Sequence, residues 1–133
     1  MDSRIHIVED NVYVREAMGE MIEVAEGLEV CGSSSSGEEA LEVLTDLEVS
    51  LVLIDLSLPR MSGLELLEAL RDNFPDLLGL IYSGHAEAEY ARRALERGSR
   101  GYVLKGDPGE LITAIERILA GETYVSPRLE LRP

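Results

Sequence analysis

Short apolar runs alternate with longer amphipathic segments along the whole chain. Several of the short runs are continuously apolar instead of alternating between apolar and polar residues, and Leu51–Ile54 is the clearest case. A continuous run of this length is typical of a strand in a parallel sheet, because helices cover both faces of such a sheet. The pattern predicts five strands, at Arg4–Val8, Leu28–Gly32, Leu51–Ile54, Leu77–Tyr82 and Gly101–Leu104.

Helix-start signals precede three of the amphipathic segments. Ser36 lies three residues before Glu39, and Ser62 lies three residues before Glu65, which is the spacing of a capping box. The stretch 107–110 supplies an aspartate cap, a proline at the first helical position and an early glutamate. We therefore predict that a helix begins after each of these signals.

The alternation of strands and helices predicts one α/β domain over residues 1–121. This domain comprises five strand–helix units, with neither an internal repeat nor a long linker. Right-handed crossovers between such units place helices on both faces of an open parallel sheet, which gives a doubly wound fold. Residues 122–133 lose the pattern, and we interpret them as a C-terminal tail or the beginning of a linker.

Reactive or charged residues follow four of the five predicted strands. The first strand ends at Glu9 and Asp10, the third at Asp55, the fourth at Ser83 and the fifth at Lys105. In an open parallel sheet, the carboxyl ends of the strands form one edge, and that edge is where ligands bind. The sequence therefore predicts that these side chains meet in one site.

Each of these residues has an ordinary structural explanation when it is considered alone. An acidic residue after a strand commonly forms a turn or caps a helix. Three carboxylates close together, however, repel one another, and a cation would offset that repulsion. Oxygen ligands of this kind suit Mg²⁺. A carboxylate can also act as a nucleophile that carries a phosphoryl group, and Asp55, on the central strand, is the best candidate.

Composition limits the classes of function. With 12 basic and 26 acidic residues, the chain carries a net charge of −14, which disfavours direct binding to nucleic acid or to an anionic membrane. Cys31 is the only cysteine, so no internal disulfide can form, which fits a reducing compartment. The sequence has no apolar stretch as long as a membrane span. We therefore expect a soluble cytoplasmic protein.

The chain resembles the receiver domain of bacterial two-component response regulators over roughly residues 4–121. The resemblance depends on the acidic pair after the first strand, on Asp55 in LIDLSLPRMSG, on Ser83 in YSGH, and on Tyr102 and Lys105 in GYVLK. The segments RGYVLK and AGETYVSP are most similar to receivers that carry a C-terminal helix-turn-helix domain of the LuxR/NarL type.

The resemblance implies a flavodoxin-like fold with a five-stranded parallel sheet in the order 2-1-3-4-5. It implies that Asp55 accepts a phosphoryl group from a sensor histidine kinase. It also implies an Mg²⁺ site formed by Asp10, Asp55 and the backbone carbonyl of Ser57, with Glu9 acting through a metal-coordinated water. Asp55 is thus the expected phosphoacceptor, and Mg²⁺ the expected cofactor.

The resemblance further assigns roles to residues around the phosphoacceptor. Ser83 and Lys105 would contact the phosphoryl group. Tyr102 would turn inward when Ser83 shifts towards that group, so that Ser83 and Tyr102 form the switch. Ser57 and His85, each two positions after a site residue, would tune dephosphorylation.

Phosphorylation would then remodel the face formed by the fourth helix, the fifth strand and the fifth helix. By resemblance, that face can mediate homodimerisation or control an output domain, so transcription regulation is the expected output. Four arginines concentrate basic charge near this face, and we offer a docking role for them as a hypothesis beside that of solvated helix arginines. They are Arg92, Arg93, Arg97 and Arg100.

Three other classes of protein compete with this interpretation. A phosphatase of the haloacid dehalogenase type needs a second acid two residues after the nucleophile, where this chain has Ser57. A nucleotide-binding domain needs a glycine-rich loop after the first strand, and VEDNVYV has none. A pseudo-receiver that acts by protein contacts alone stays possible because Gly106 replaces a frequent proline. We expect no enzymatic turnover beyond Mg²⁺-dependent self-phosphorylation and self-dephosphorylation.

Overall fold

Strands and helices alternate in the computed structural model, which describes residues 2–129. The bounds of the predicted strands agree with the observed ones to within two residues. The elements are β1 (Ser3–Val8), α1 (Val12–Glu23), β2 (Leu28–Ser34), α2 (Gly37–Leu44), β3 (Leu51–Asp55), α3 (Gly63–Asn73), β4 (Leu78–Ser83), α4 (Ala88–Glu96), β5 (Gly101–Leu104), α5 (Pro108–Leu119) and β6 (Tyr124–Val125).

The strands form one parallel sheet in the order β2-β1-β3-β4-β5-β6. The predicted flavodoxin-like order 2-1-3-4-5 is therefore confirmed. Every residue of β3 is buried, because β3 lies between β1 and β4 and helices cover both of its faces. This position explains why Leu51–Ile54 is continuously apolar.

Two apolar cores lie on opposite faces of the sheet. Helices α2, α3 and α4 pack on one face, where Ile54, Leu66 and Ala94 are fully buried. Helices α1 and α5 pack on the other face, where Ile22, Leu53 and Ile115 are fully buried. Leu53 and Ile54 therefore point into different cores, as adjacent residues of a strand must.

Within residues 2–129 the sheet has six strands, so the prediction of five was one short. Tyr124 and Val125 pair in parallel with Gly101 and Tyr102 at the edge of β5. These two residues belong to the segment that the sequence analysis interpreted as a tail or linker. A strand of two residues is too short to show a period in hydrophobicity. Residues 130–133 of that segment lie outside the described part of the chain.

All three predicted helix starts are confirmed, but the capping box at Ser36 forms only one of its two hydrogen bonds. Ser62 and Glu65 form a complete capping box at the start of α3. The Ser36 hydroxyl accepts a hydrogen bond from the Glu39 backbone, but the Glu39 carboxylate accepts from the backbone N–H of Ser35 and not from that of Ser36. Asp107 caps α5. Across residues 2–129, the helices are too short or too polar to cross a membrane.

Gly63, the first residue of α3, lies directly against the backbone that follows β3. A Cβ atom at this position would lie 2.7 Å from the carbonyl oxygen of Asp55 and 2.9 Å from the Cα of Leu56. The Gly63 N–H also donates to the Leu56 carbonyl at 3.0 Å. The absence of a side chain here therefore lets α3 begin in contact with the end of β3, and it fixes the loop beside Asp55.

Replacing Gly63 by alanine should lower the free energy of unfolding by about 2–3 kcal/mol, because the added methyl group meets backbone atoms that cannot yield without moving β3 or α3. Urea denaturation of the two proteins measures the difference. Gly84→Ala is the matched control, because a Cβ there meets no atom within 4 Å. Equal stability of the Gly63 and Gly84 variants would contradict the close approach.

Candidate functional site

Three carboxylates meet where β1 and β3 end. These strands are parallel neighbours, and Val8 lies opposite Ile54, so the residues that follow emerge side by side. One oxygen atom from each of Glu9, Asp10 and Asp55 lies within 4.8 Å of the other two. The structure therefore brings together the acidic residues that the sequence analysis placed in one site.

The three carboxylates differ in their exposure to solvent. Glu9 and Asp55 are buried, at 2% and 5% exposure, whereas Asp10 is exposed. Glu9 Oε2 accepts a hydrogen bond from the backbone N–H of Asn11 at 3.1 Å. Glu9 Oε1 is buried and has no hydrogen-bond donor among the described residues. A buried carboxylate oxygen without a donor is costly, and a cation would satisfy it.

Burial raises the pKa of Glu9 to about 7. The hydrogen bond from Asn11 opposes this rise, and the neighbouring charge of Asp55 adds to it. The charge of Lys105 also favours the ionised form, but it does not restore an ordinary pKa. Glu9 is thus held in a state in which added positive charge would favour its ionisation.

Lys105 reaches the cluster from the end of β5. Its Nζ lies 3.6 Å from Glu9 Oε1 and 3.6 Å from Asp55 Oδ1, so that one ammonium group faces both buried carboxylates. The Lys105 backbone N–H donates to the carbonyl of Ser83 at 2.8 Å, which ties the end of β5 to the end of β4. The ring of Tyr82 lies alongside, with Nζ 5.7 Å from its centroid.

The donor set fits a divalent cation that prefers oxygen. Of the three carboxylates, Glu9 has a buried oxygen without a donor among the described residues, and Asp10 opens to solvent. Such a set suits Mg²⁺, which binds through a few carboxylates and keeps several waters. The backbone N–H of Ser57 donates to Asp55 Oδ1 at 3.3 Å, so residue 57 does adjoin the cluster. Ligation by the Ser57 carbonyl stays a prediction.

His85 contacts the three other residues that were expected to form the switch or to tune dephosphorylation, namely Ser57, Ser83 and Tyr102. The buried Ser83 hydroxyl accepts a hydrogen bond from the His85 backbone N–H at 3.0 Å. The ring of His85 places Nε2 3.4 Å from the Ser57 hydroxyl oxygen. Tyr102 is completely buried, and its hydroxyl donates to the His85 carbonyl at 2.8 Å. In this structure the Tyr102 ring is therefore in the inward position.

Three residues that were not predicted from the sequence also support the site. Asn11 caps α1 and donates its N–H to Glu9, and an asparagine before a helix is a recognisable cap. Arg15 Nη1 donates to the Glu9 carbonyl at 2.8 Å. Tyr82 faces Lys105. The contacts of Arg15 and Tyr82 depend on tertiary packing, and neither residue carries a motif that would have revealed them.

Three of the four arginines for which a docking role was considered form ion pairs within the chain. Arg92 pairs with Glu89 and Glu96 on the same helix, and Arg93 also pairs with Glu89. Exposed pairs of this kind stabilise a helix weakly. A third arginine, Arg97, pairs with Glu68 of α3. These contacts favour solvated helix arginines over a docking surface.

A protein-family model described as the response regulator receiver domain matches residues 5–116. Among curated proteins, the response regulator GacA of Pseudomonas viridiflava is 33% identical over 127 residues, which cover 95% of this chain and 59% of GacA. The nitrate/nitrite response regulator protein NarL of Escherichia coli K12 is 33% identical over 126 residues, which cover 94% of this chain and 58% of NarL. The chain thus spans less than two thirds of these relatives.

Solved structures of response regulators are also similar to this chain. A LuxR-family two-component response regulator from Aurantimonas sp. SI85-9A1 superposes with a TM-score of 0.93 at 34% identity, over 97% of this chain and 93% of that one. A CheY-like response regulator receiver domain protein from Methanospirillum hungatei JF-1 superposes with a TM-score of 0.81 at 29% identity, over 91% of this chain and 96% of that one.

The raised pKa of Glu9 predicts how stability depends on pH when no metal is added. The ordinary value of 4.5 describes the unfolded chain, and about 7 describes the folded one. Stability contributed by the neutral carboxyl is therefore lost as the pH rises from 4.5 through about 7. Glu9→Gln keeps the side chain neutral, so it should stabilise the protein by about 1–2 kcal/mol more at about pH 8 than at about pH 5.

Urea denaturation with a chelator present measures this difference. Glu20→Gln on the exposed face of α1 is the control for the loss of one acidic side chain, and the change with pH should be larger for Glu9→Gln. A Glu9→Gln effect that does not change with pH would show that burial does not perturb the Glu9 carboxyl.

Proposed function

Because the chain belongs to the response regulator receiver domain family, we propose that it is a phosphoaccepting switch of a two-component system. In this proposal Asp55 takes a phosphoryl group from the phosphohistidine of a sensor histidine kinase. One observation supports it above all others. The Asp55 carboxylate stands at the end of a fully buried strand, in contact with Lys105 and beside two further carboxylates.

The burial of β3 holds the nucleophile in place. Asp55 Oδ1 receives the Ser57 N–H at 3.3 Å and faces Lys105 Nζ at 3.6 Å, so the carboxylate is oriented from two directions. A carboxylate oxygen of Asp55 attacks the phosphorus atom. A new P–O bond forms, the P–N bond to the donor imidazole breaks, and the electron pair leaves with the imidazole nitrogen.

Glu9, Asp10 and Asp55 would hold Mg²⁺, together with the carbonyl of Ser57. When bound, Mg²⁺ supplies positive charge that neutralises the phosphoryl oxygens. The chain itself supplies Lys105, whose ammonium group already faces Asp55 and Glu9. Since Asp10 is exposed while Glu9 is buried, Asp10 would be the ligand on the solvent side of the site.

Ser83 has a hydrogen-bond donor available for a phosphoryl oxygen. Its hydroxyl oxygen accepts the His85 N–H, and the Ser83 O–H, which interacts with the Tyr102 hydroxyl in this structure, would turn to donate to the phosphoryl group. The Ser83 carbonyl accepts the Lys105 N–H, so both groups that would contact the phosphoryl group are joined through one backbone hydrogen bond. A shift of either residue is therefore transmitted to the other.

His85 connects the Ser83 hydroxyl to Tyr102, the aromatic residue of the proposed switch. Its N–H donates to Ser83, and its carbonyl accepts the Tyr102 hydroxyl. Movement of Ser83 towards a phosphoryl group would displace His85, and the Tyr102 ring would have to follow or lose its hydrogen bond. Two alternative sets of contacts, biased by one new charge, constitute a switch. The contact between the His85 ring and Ser57 positions both to influence how long the phosphoryl group persists.

The output that we propose is control of dimerisation or of transcription. The curated relatives, which include NarL, extend beyond the part matched here, and one similar solved structure is of a LuxR-family response regulator. The responding face comprises α4, β5 and α5, and β6 lies along its edge. The net charge of −14 disfavours DNA contact by these 133 residues themselves. A cytoplasmic location, where histidine kinases present their phosphohistidine, completes the proposal.

Intact mass spectrometry after incubation with Mg²⁺ and acetyl phosphate tests the chemistry. We expect the mass of one phosphoryl group to be added to the wild-type chain. Asp55→Asn should abolish the gain because an amide is a poor nucleophile, and removal of Mg²⁺ should reduce it strongly. Asp76→Asn replaces an exposed aspartate outside the site, and it should be labelled like the wild type.

The opposite result would support a different class of protein. If the wild-type chain gains no phosphoryl group under conditions that label a known receiver domain, a pseudo-receiver that acts by protein contacts alone is the better description. Labelling that persists in Asp55→Asn would instead place the phosphoacceptor elsewhere in the chain.

A further inference from the structure

Glu110 binds three residues of the segment that follows α5. This glutamate lies in the first turn of α5, and only 7% of its side chain is exposed. Its carboxylate accepts hydrogen bonds from Arg128 at 2.6 Å, Ser126 at 2.8 Å and Tyr124 at 3.0 Å. Residues 124–129, which we call the edge segment, are therefore held to the start of α5 by one side chain.

The charge of Glu110 is well suited to this role. Burial disfavours the ionised carboxylate, but the hydrogen bonds from Arg128, Ser126 and Tyr124 together outweigh it, and the pKa of Glu110 is lowered. Hydrogen bonds to a charged acceptor are stronger than those between neutral groups. The anion therefore stabilises the docked edge segment.

The edge segment also bonds directly to β5. The Ser126 N–H donates to the Tyr102 carbonyl at 2.9 Å, and the Leu104 N–H donates to the Ser126 hydroxyl at 3.0 Å. Arg128 Nη2 donates to the Leu104 carbonyl at 3.1 Å. These acceptors and donors belong to Tyr102 and to the residue immediately before Lys105. The edge segment is thus bonded to the same short strand that carries the proposed switch.

Little apolar surface holds the edge segment in place. Its strand β6 has two residues, and Val125 is 38% exposed. Two of its side chains pack against the cores, Leu129 on one face of the sheet and Tyr124 on the other. Elements held by few apolar contacts open at low free-energy cost. The edge segment contains the shortest strand of the described sheet, so its release would leave the other five strands paired.

Gly106 follows Lys105 in the chain and lies near the Arg128 side chain, which contacts Glu110. Its φ of 120° is in the left-handed region that favours glycine. The atom nearest to the position of an added Cβ is Arg128 Nη1, at 3.9 Å. A displacement of Lys105 therefore acts next to the Arg128 contacts with Leu104 and Glu110.

We propose that the edge segment is a releasable strap, held by Glu110, that detaches from β5 when a phosphoryl group at Asp55 draws Lys105 towards it. This inference rests on the proposed function, because it needs the charge change at Asp55. It goes further by naming the structural element that responds. Detachment frees Tyr124–Leu129 from β5 and from the start of α5.

Hydrogen–deuterium exchange of the full chain tests the proposal, with Mg²⁺ and beryllofluoride as the phosphoryl mimic. We expect amides of the edge segment to exchange faster when the mimic is added, while β3 stays protected. If the loop at residues 56–62 responds but the edge segment does not, the strap is wrong and the proposed function stands. If neither responds, the proposed function fails, and the strap fails with it.

Variants without the mimic test the role of Glu110 separately. Glu110→Gln removes the charge and sets an amide N–H₂ against donor groups, so the edge segment should exchange about tenfold faster even in the unmodified chain. Arg128→Gln, at an exposed position, should act in the same direction. Glu116→Gln on the exposed face of α5 is the matched control and should change nothing. Equal exchange in the Glu110 and Glu116 variants would overturn the proposal.

Discussion

The repulsion among three carboxylates is the constraint on which the rest of this structure depends. Glu9, Asp10 and Asp55 each place an oxygen within 4.8 Å of the other two, and two of these side chains are buried. Ordinary packing would separate such groups. Here the parallel pairing of β1 with β3 fixes their backbones side by side, and Lys105 balances only part of their charge. Burial raises the pKa of Glu9 to about 7, and the neighbouring charge of Asp55 adds to that rise.

The fold supplies the rigidity that this arrangement needs. Strand β3 is buried on both faces, and Gly63 brings α3 directly against the backbone of Asp55 and Leu56. Lys105 must cross the end of β4 to reach Asp55, and the Tyr82 ring lies beside its ammonium group on the way. The same β5 that carries Lys105 carries Tyr102 and binds the edge segment. In our proposal, a change of charge at Asp55 is transmitted to the edge of the sheet through this strand.

The sequence was sufficient to predict the parts of this molecule that follow from local pattern. The continuously apolar run Leu51–Ile54 predicts a central parallel strand. The residues that follow four of the strands could be placed in one site from the strand order alone. The two-residue strand β6 could not be found, because it shows no period. The roles of Glu110 and Tyr82 depend on which elements pack together across the sheet. Ser36 and Glu39 show the limit of a motif, since the spacing of a capping box yielded only half of its hydrogen bonds.

Calorimetric titration with Mg²⁺ tests most directly the central claim that the carboxylate cluster is a cation site. We expect one saturable site in the wild-type chain and an affinity at least about tenfold lower in Asp10→Asn, which removes the exposed ligand while leaving Glu9 and Asp55 in place. Glu16→Gln, an exposed substitution on α1, should bind like the wild type. Equal Mg²⁺ affinity in the wild type and Asp10→Asn, or no binding to either, would contradict the account.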